Sequence, residues 1–364
     1  MIERVILHCD LNNFFASVES LAHPEFKTVP MAVAGSSEDR HGIILAKNEL
    51  AKKFGVQTAE PIWQARKKCP DLVLAEPHYH KYAEYSKKVF EIYMRYTDRV
   101  EAFGIDEAWL DVTGSQKLFG NGRQIAESIK DTVKAETGLT ISVGVSFNKI
   151  FAKLGSDYKK PDAITEITRE NYKEIVYPLP VSSLLFVGKS TYSKLAGYDI
   201  HTVGDVASSS KALLTSILGA RGGELYDFAH GEGGGEVALA TAWELPKSIG
   251  KGLTFKKNLR SIEEVRSAVV PLSENVAERL RRYGLWCNCV SVSIKDDSLK
   301  TISRQSVIEP STNLGRVIAE TAVSLVSKNW DFKIPIRMLT VTAQNLSEDY
   351  RGVQLSLFDM ATGT

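Results

Sequence analysis

Cysteine is scarce in this chain, with four in 364 residues and no Cys-x-x-Cys pair. Cys9 and Cys69 are remote from one another, and Cys287 and Cys289 are separated by one residue. That spacing argues against a structural zinc site and leaves four reduced, buried thiols as the expected state. Long apolar runs are also missing, and none approaches the roughly 18 residues that would span a bilayer. The first residues carry no secretory apolar segment, so the expected compartment is the cytoplasm, with no membrane partner. Net charge is nearly absent at +1, which by itself names no partner. There is no internal repeat and no low-complexity run.

What is present is a globular composition, 43% hydrophobic and 24% charged, on a chain long enough for two or three domains. The charge is unevenly placed. Residues 245–340 hold 16 Lys/Arg against 9 Asp/Glu, a surplus of seven, so the remainder sums to −6. A basic segment on an acidic chain is the footprint a polyanion partner would need, and equally an ordinary solvated surface.

Residues 5–9 are an apolar run read as a buried strand ending at Asp10, followed by a helical pattern over 12–21 and a second strand at 31–35. Residues 46–69 read as helix-rich, with a break at Phe54-Gly55-Val56. A longer helix is expected over 82–99, an amphipathic one over 125–136, an alternating strand over 139–145 and a helix over 148–157. Strands and helices in mixed order predict an α+β or α/β core. Beyond about residue 168 the texture changes. Two short helices are expected across 181–207, around Gly188 and Gly197, and the glycine-rich residues 231–235 read as a linker or exposed turn. A further unit starts near Lys247, with strands at 289–295 and 339–344 and helices at 261–283 and 312–328.

Three acids stand out. Asp10 ends the first strand, and Asp106 and Glu107 interrupt the apolar stretch 100–112. Acids inside apolar sequence are costly to bury unless paired or metal-bound, and Mg²⁺ favours such hard oxygen ligands. Adjacent residues on a regular strand face opposite sides, so Asp106 and Glu107 can share one metal site only if the chain turns there; Gly104 makes a turn or bulge available. Spacing alone is equally met by salt-bridged or solvent-facing acids.

Together the motifs are more specific. Asp10-Leu11-Asn12-Asn13-Phe14-Phe15-Ala16-Ser17-Val18-Glu19 resembles the first motif of the Y-family translesion DNA polymerases. Ile105-Asp106-Glu107-Ala108-Trp109-Leu110-Asp111 resembles the second, and Ser142-Val143-Gly144-Val145-Ser146-Phe147-Asn148-Lys149 through Lys160-Pro161 the third. Lys247-Ser248-Ile249-Gly250 resembles the start of the family's C-terminal DNA-binding domain. Order and separation match over residues 1–345, in the DNA polymerase IV branch.

The resemblance implies an α+β right hand. Residues 1–168 would be a ferredoxin-like palm with fingers inserted at about 19–77, and 169–235 a thumb with a helix-hairpin-helix. Residues 236–246 would be a linker, 247–346 an α/β little finger, and 347–364 a clamp-binding tail. It implies low-fidelity, primer-extending DNA synthesis without proofreading. Asp10, Asp106, Glu107 and the carbonyl of Leu11 would bind two Mg²⁺. Phe14 and Phe15 would meet the incoming deoxynucleotide, with Phe15 as steric gate and Phe14 largely core, and Lys160 and Lys52 would meet its triphosphate. Gly188, Lys189, Lys251, Lys256, Lys257, Arg260, Arg304 and Arg337, with Arg281 and Arg282, would contact primer-template DNA. Gln354, Leu355, Leu357 and Phe358 would dock a monomeric enzyme on a sliding clamp.

One departure concerns the fingers, where family members carry Tyr-Glu-Ala-Arg and this chain has Glu49-Leu50-Ala51-Lys52. Either Glu49 faces solvent and the register shifts, or nucleotide binding is weaker, with Lys47, Lys52 and Lys53 as substitutes; lysine supplies charge without arginine's fork. Gly188-Lys189-Ser190 mimics the end of a P-loop but lacks the glycine five positions earlier, where Ser183 stands. The alternatives are a catalytically silent DNA- or clamp-binding scaffold and a palm-type nucleotide cyclase.

Overall fold

The computed structural model describes residues 3–35, 42–242 and 245–350, in two compact units, 1–242 and 243–364. Among the described residues twelve strands run in chain order. Unit one holds β1 (Ile6–Leu11), β2 (Met31–Ala34), β3 (Ile44–Lys47), β4 (Val73–Ala75), β5 (Val100–Ala102), β6 (Glu107–Asp111), β7 (Ile141–Ser146) and β8 (Ile164–Ile167). Unit two holds β9 (Ser248–Leu259), β10 (Trp286–Asp296), β11 (Thr301–Thr312) and β12 (Ile336–Ser347). The class is α+β.

The central sheet of unit one is ordered β5-β6-β1-β7-β8, antiparallel except for the parallel β7–β8 pair. Alternation divides β1 between two faces. Leu7, Cys9 and Leu11 enter the main core with Val89, Ile92, Ile125, Ile129 and Val133 of the helices Tyr79–Tyr93 and Gly122–Thr137. Ile6 packs on the other face with Trp109, Ala152 and Val237. The helix Lys149–Tyr158 lies close on that face because Gly144 has no side chain: a Cβ there would stand 1.9 Å from the Ala152 carbonyl oxygen. Asn148 caps this helix, its Oδ1 accepting from the Phe151 amide at 2.7 Å.

A second small sheet, β3-β2-β4, is backed by the short helices Glu49–Lys53 and Ile62–Lys68 around Ala51, Val56, Ile62 and Ala65. The helical reading of 46–69 is therefore corrected at its start, where β3 ends, and the three-residue strand β4 was not expected. The long helix starts at Tyr79 and stops at Tyr93, shorter at its C-terminal end than expected over 82–99.

Residues 172–229 form a helical cluster packed around Val176, Val181, Leu195, Val203, Val206, Leu214 and Leu225. Of the glycines after it, Gly233 and Gly235 are exposed, as a turn would be, while Gly231 is buried. A Cβ on Gly231, whose φ is +75°, would lie 2.7 Å from a Phe151 ring carbon, and Asn148 donates to the Gly231 carbonyl at 2.7 Å. The next residues follow unit one: Val237 is fully buried, Arg99 donates to its carbonyl, and the Ala240 amide donates to the Asp98 carbonyl.

Unit two is one sheet, β11-β10-β12-β9, covered on one face by the helices Ile262–Arg282 and Gly315–Asn329. Val290, Val292, Ile294, Leu339 and Val341 meet Val265, Val269, Leu272, Val276 and Leu280 in its core. β9 and β11 were not expected from sequence. Among the described residues no helix is long and apolar enough to cross a membrane.

Candidate functional site

Asp10 stands on β1 directly opposite Glu107 of β6. The β5–β6 hairpin turns through residues 103–106, closed by the Phe103 amide donating to the Glu107 carbonyl at 2.9 Å. The Leu11 amide donates to the Asp106 carbonyl at 3.0 Å, and the Ser86 hydroxyl donates to the Ile105 carbonyl. The turn that sharing a site required is present, and Gly104 lies against it, its Cβ position 3.5 Å from Asp106 Oδ1.

Lysines surround the acids. Lys153 of the helix Lys149–Tyr158 reaches Glu107 Oε2 at 2.5 Å and Asp10 Oδ2 at 3.1 Å. Lys160 reaches Asp10 Oδ2 and Asp157 Oδ1, both at 2.7 Å. An unpaired buried carboxylate costs several kcal/mol. Burial alone would push the Asp10 carboxyl up, but Lys160 and Lys153 outweigh it and hold Asp10 below its ordinary range. Asp106 goes the other way: burial and the charge of Asp10 raise it. Glu107 is also raised, chiefly by burial, against the pull of Lys153.

His8 was not anticipated. It shares the Asp10 face of β1, two residues earlier, and is fully buried. Burial, then Lys153, hold it well below its ordinary value, so its imidazole is neutral at pH 7. The Ser156 hydroxyl donates to the Lys153 carbonyl and so accepts from His8 Nδ1 at 2.8 Å. That tautomer leaves a lone pair on Nε2, which has no hydrogen-bond partner among the described residues and lies 3.4 Å from Glu107 Oε2. His8, Asp10 and Glu107 each offer a ligand atom within 4.8 Å of one another. Asp106 falls outside that trio, at the adjoining turn. Partly buried hard oxygens, two carboxyls raised chiefly by burial, and the lone pair on His8 Nε2 fit a divalent cation.

On the helix Phe14–Ala22, Phe14 is core and Phe15 is half-buried, its ring stacked on Tyr82 with centroids 4.1 Å apart and planes 10° apart. Glu19, one turn later and 1% exposed, accepts from the Tyr82 hydroxyl at 2.5 Å and meets His78 Nδ1 at 3.0 Å. One tyrosine thus holds the Phe15 ring and a buried acid of the same helix. Glu49 is only partly turned to solvent. Its side chain is 39% exposed, yet it accepts from Asn13 Nδ2 at 3.1 Å and lies 3.6 Å from Lys52 Nζ. Lys47 is engaged by the Thr58 hydroxyl at 3.2 Å.

The model of the impB/mucB/samB family matches residues 9–157, and that of the family's C-terminal domain residues 246–357. A DNA polymerase IV of Acetivibrio thermocellus is 48% identical over 98% of this chain and 90% of its own length. The chain belongs to this family, in its DNA polymerase IV branch. A DNA polymerase IV of Clostridium kluyveri is 36% identical over 99% of the chain and 89% of that relative. Among solved structures, the Y-family DNA polymerase chimera of Dbh and Dpo4 matches with a TM-score of 0.84 over 94% of this chain and 98% of that one. At 24% identity it speaks for the fold.

The DNA-binding candidates of this family member are spread over both units. Gly188 is the N-cap of the helix Lys189–Ala196, and Lys189 is exposed. In unit two, Lys251 pairs with Val341 and Arg304 with Val292. Directly opposed residues share a face, so these two basic residues sit on the outer strands on the helix side of the sheet. Lys256, Lys257 and Arg260 are exposed, and Arg337 is half-buried. The open face of the sheet is polar: Gly250 faces Thr342, Gly252 faces Thr340, and Ser291, Ser293 and Lys295 continue it. The clamp-binding candidates Gln354, Leu355, Leu357 and Phe358 lie outside the described residues.

Proposed function

We propose that this chain is a template-directed DNA polymerase that adds deoxynucleotides to a primer 3′ end, of the translesion kind and without proofreading. The observation that carries this is Asp10 paired with Glu107 across β1 and β6, with Asp106 at the adjoining hairpin turn, in a chain 48% identical to a DNA polymerase IV. Asp10, Asp106, Glu107 and the carbonyl of Leu11 would hold the metal, which we take to be two Mg²⁺. When bound, such ions lower the pKa of an attacking hydroxyl and neutralise a leaving pyrophosphate.

The chain's own groups do the rest. Lys153 balances the acids: burial pulls its pKa down, but Asp10, Asp157 and Glu107 outweigh that and hold it above its ordinary value. Lys160, beside Asp10, is placed to meet a triphosphate as a compact cation, with Lys52 as a second. Phe15, braced by Tyr82, presents a ring edge that a ribose 2′-hydroxyl would strike. In this reading unit one supplies palm, fingers and thumb, unit two is the little finger that holds primer-template DNA, and residues 347–364 dock a monomeric cytoplasmic enzyme on a sliding clamp.

The test is primer extension with Mg²⁺ and the four dNTPs, comparing wild type with Asp106→Ala. Extension that is template-dependent and lost in the variant is expected. DNA binding without extension in the wild type would leave a scaffold, and NTP consumption without primer would leave a cyclase.

A further inference from the structure

We infer that Asn12 is a positioning residue that sets where Lys160 stands beside Asp10. Asn12 is 5% exposed and is the first residue after β1. Its amide group joins three segments remote in sequence. Nδ2 donates to the Ser142 hydroxyl at 2.8 Å, and Oδ1 accepts from the Thr140 hydroxyl at 3.1 Å and from the Asp162 backbone N–H at 2.8 Å. Its own backbone N–H donates to the Thr140 carbonyl at 2.9 Å. The side chain therefore ties the end of the Asp10 strand and the start of β7 to the turn that carries Lys160.

That turn needs holding. Asp162 has φ +54°, a left-handed conformation that costs a non-glycine residue on the order of 1 kcal/mol or more unless its surroundings impose it. Asn12 grips its N–H, while Lys130 and Lys134 grip its carboxylate at 3.2 and 3.3 Å. Lys160 lies two residues before this anchor. A lysine side chain has a flexible four-carbon stem and cannot keep a phosphate-ready position unless its backbone is fixed. Asn12 and Asp10 are two residues apart at one strand end, so the same strand places a metal-binding carboxylate and, through Asn12, the lysine next to it. Asn12 itself touches no reacting atom.

The inference rests on the reading of Lys160 as a triphosphate contact, and the test separates the two. Single-nucleotide primer extension on the full chain gives kcat and KM for dNTP, alongside primer-template affinity and melting temperature. Asn12→Leu keeps the volume and loses all three side-chain hydrogen bonds. It is expected to raise the dNTP KM about tenfold with DNA affinity unchanged. Asn12→Asp keeps both acceptor contacts, and the Ser142 hydroxyl can turn to donate, so its KM should stay within about threefold of wild type. The double variant with Lys160→Ala should be no worse in KM than Lys160→Ala alone. Independent, multiplying effects overturn the inference. A Lys160→Ala variant with unchanged KM overturns the triphosphate reading and the inference with it. If Asn12→Leu does not fold, Thr140→Val, which removes one donor to Oδ1, must raise KM in the same direction by a smaller factor. An unchanged KM there also overturns it.

Discussion

At Asp106, burial and the neighbouring charge of Asp10 oppose ionisation, and the folded carboxyl holds its proton to higher pH than it would unfolded. The sign follows from linkage. The folded state binds more protons between the two pKa values, so stability falls as pH rises through that window, and the ionised group is a cost at pH 7. Asp106→Asn should therefore melt a few degrees higher than wild type in chelator at pH 7, with the gain shrinking below the ordinary carboxylate range, while extension is lost. Equal or lower melting at pH 7 would contradict this account of the site. Phe15 offers a second residue-scale measurement. With its ring stacked at 4.1 Å on Tyr82, Phe15→Ala should improve rNTP use relative to dNTP by about tenfold or more, about 1.4 kcal/mol of discrimination. Unchanged selectivity in single-nucleotide extension would remove Phe15 from the gate position. Asp10, Asp106, Glu107 and Phe15 were legible because they sit in ordered motifs. His8 was legible only as a residue alternating with Asp10 on a strand, and Lys153 only as an i, i+4 neighbour of Asp157. Glu107 comes to His8 through the pairing of β1 with β6, and Asp10 and Glu107 come to Lys153 only when the helix Lys149–Tyr158 lies on the sheet.

That close approach is a property of two elements and one missing side chain. With the Gly144 Cβ position 1.9 Å from the Ala152 carbonyl oxygen and 2.5 Å from the Ser156 amide nitrogen, the clash is with backbone and cannot be relieved by a rotamer. Gly144→Ala should destabilise unit one by about 3 kcal/mol or more, read as a lowered melting transition or insoluble expression. A wild-type melting curve would mean the helix can stand off the sheet. The same scale explains which elements could be read in advance. β1 and β7 bury every residue, and the helices Gly122–Thr137 and Ile262–Arg282 carry apolar faces of regular period. β9 and β11 are outer strands whose side chains are mostly exposed or half-buried. They lack the apolar alternation that marks a half-buried strand and are fixed by hydrogen bonding to β12 and β10. The contact that Gly231 makes with Phe147 and Phe151 was not legible, because glycine-rich composition signals only a turn.

Across the whole molecule, charge and chain ends make two further predictions about partners. Deleting residues 353–364 should remove stimulation by a sliding clamp and leave basal extension intact, since the apolar anchors Leu355, Leu357 and Phe358 suit an extended peptide entering a groove. Clamp stimulation that survives the deletion would refute it. The second concerns DNA. The chain as a whole is nearly neutral, so any attraction to a polyanion must be local, and the surplus of seven positive charges over residues 245–340 is where it concentrates. If about six of the exposed Lys/Arg there meet phosphates, log affinity should fall against log salt with a slope of about −5, close to a thousandfold loss between roughly 50 and 200 mM. Removing one true phosphate contact, with Lys257→Ala as a first choice, should flatten that slope by about one unit and weaken binding alike on every template sequence. A flat salt dependence, or a strong preference for particular template sequences, would count against backbone-tracking by this unit.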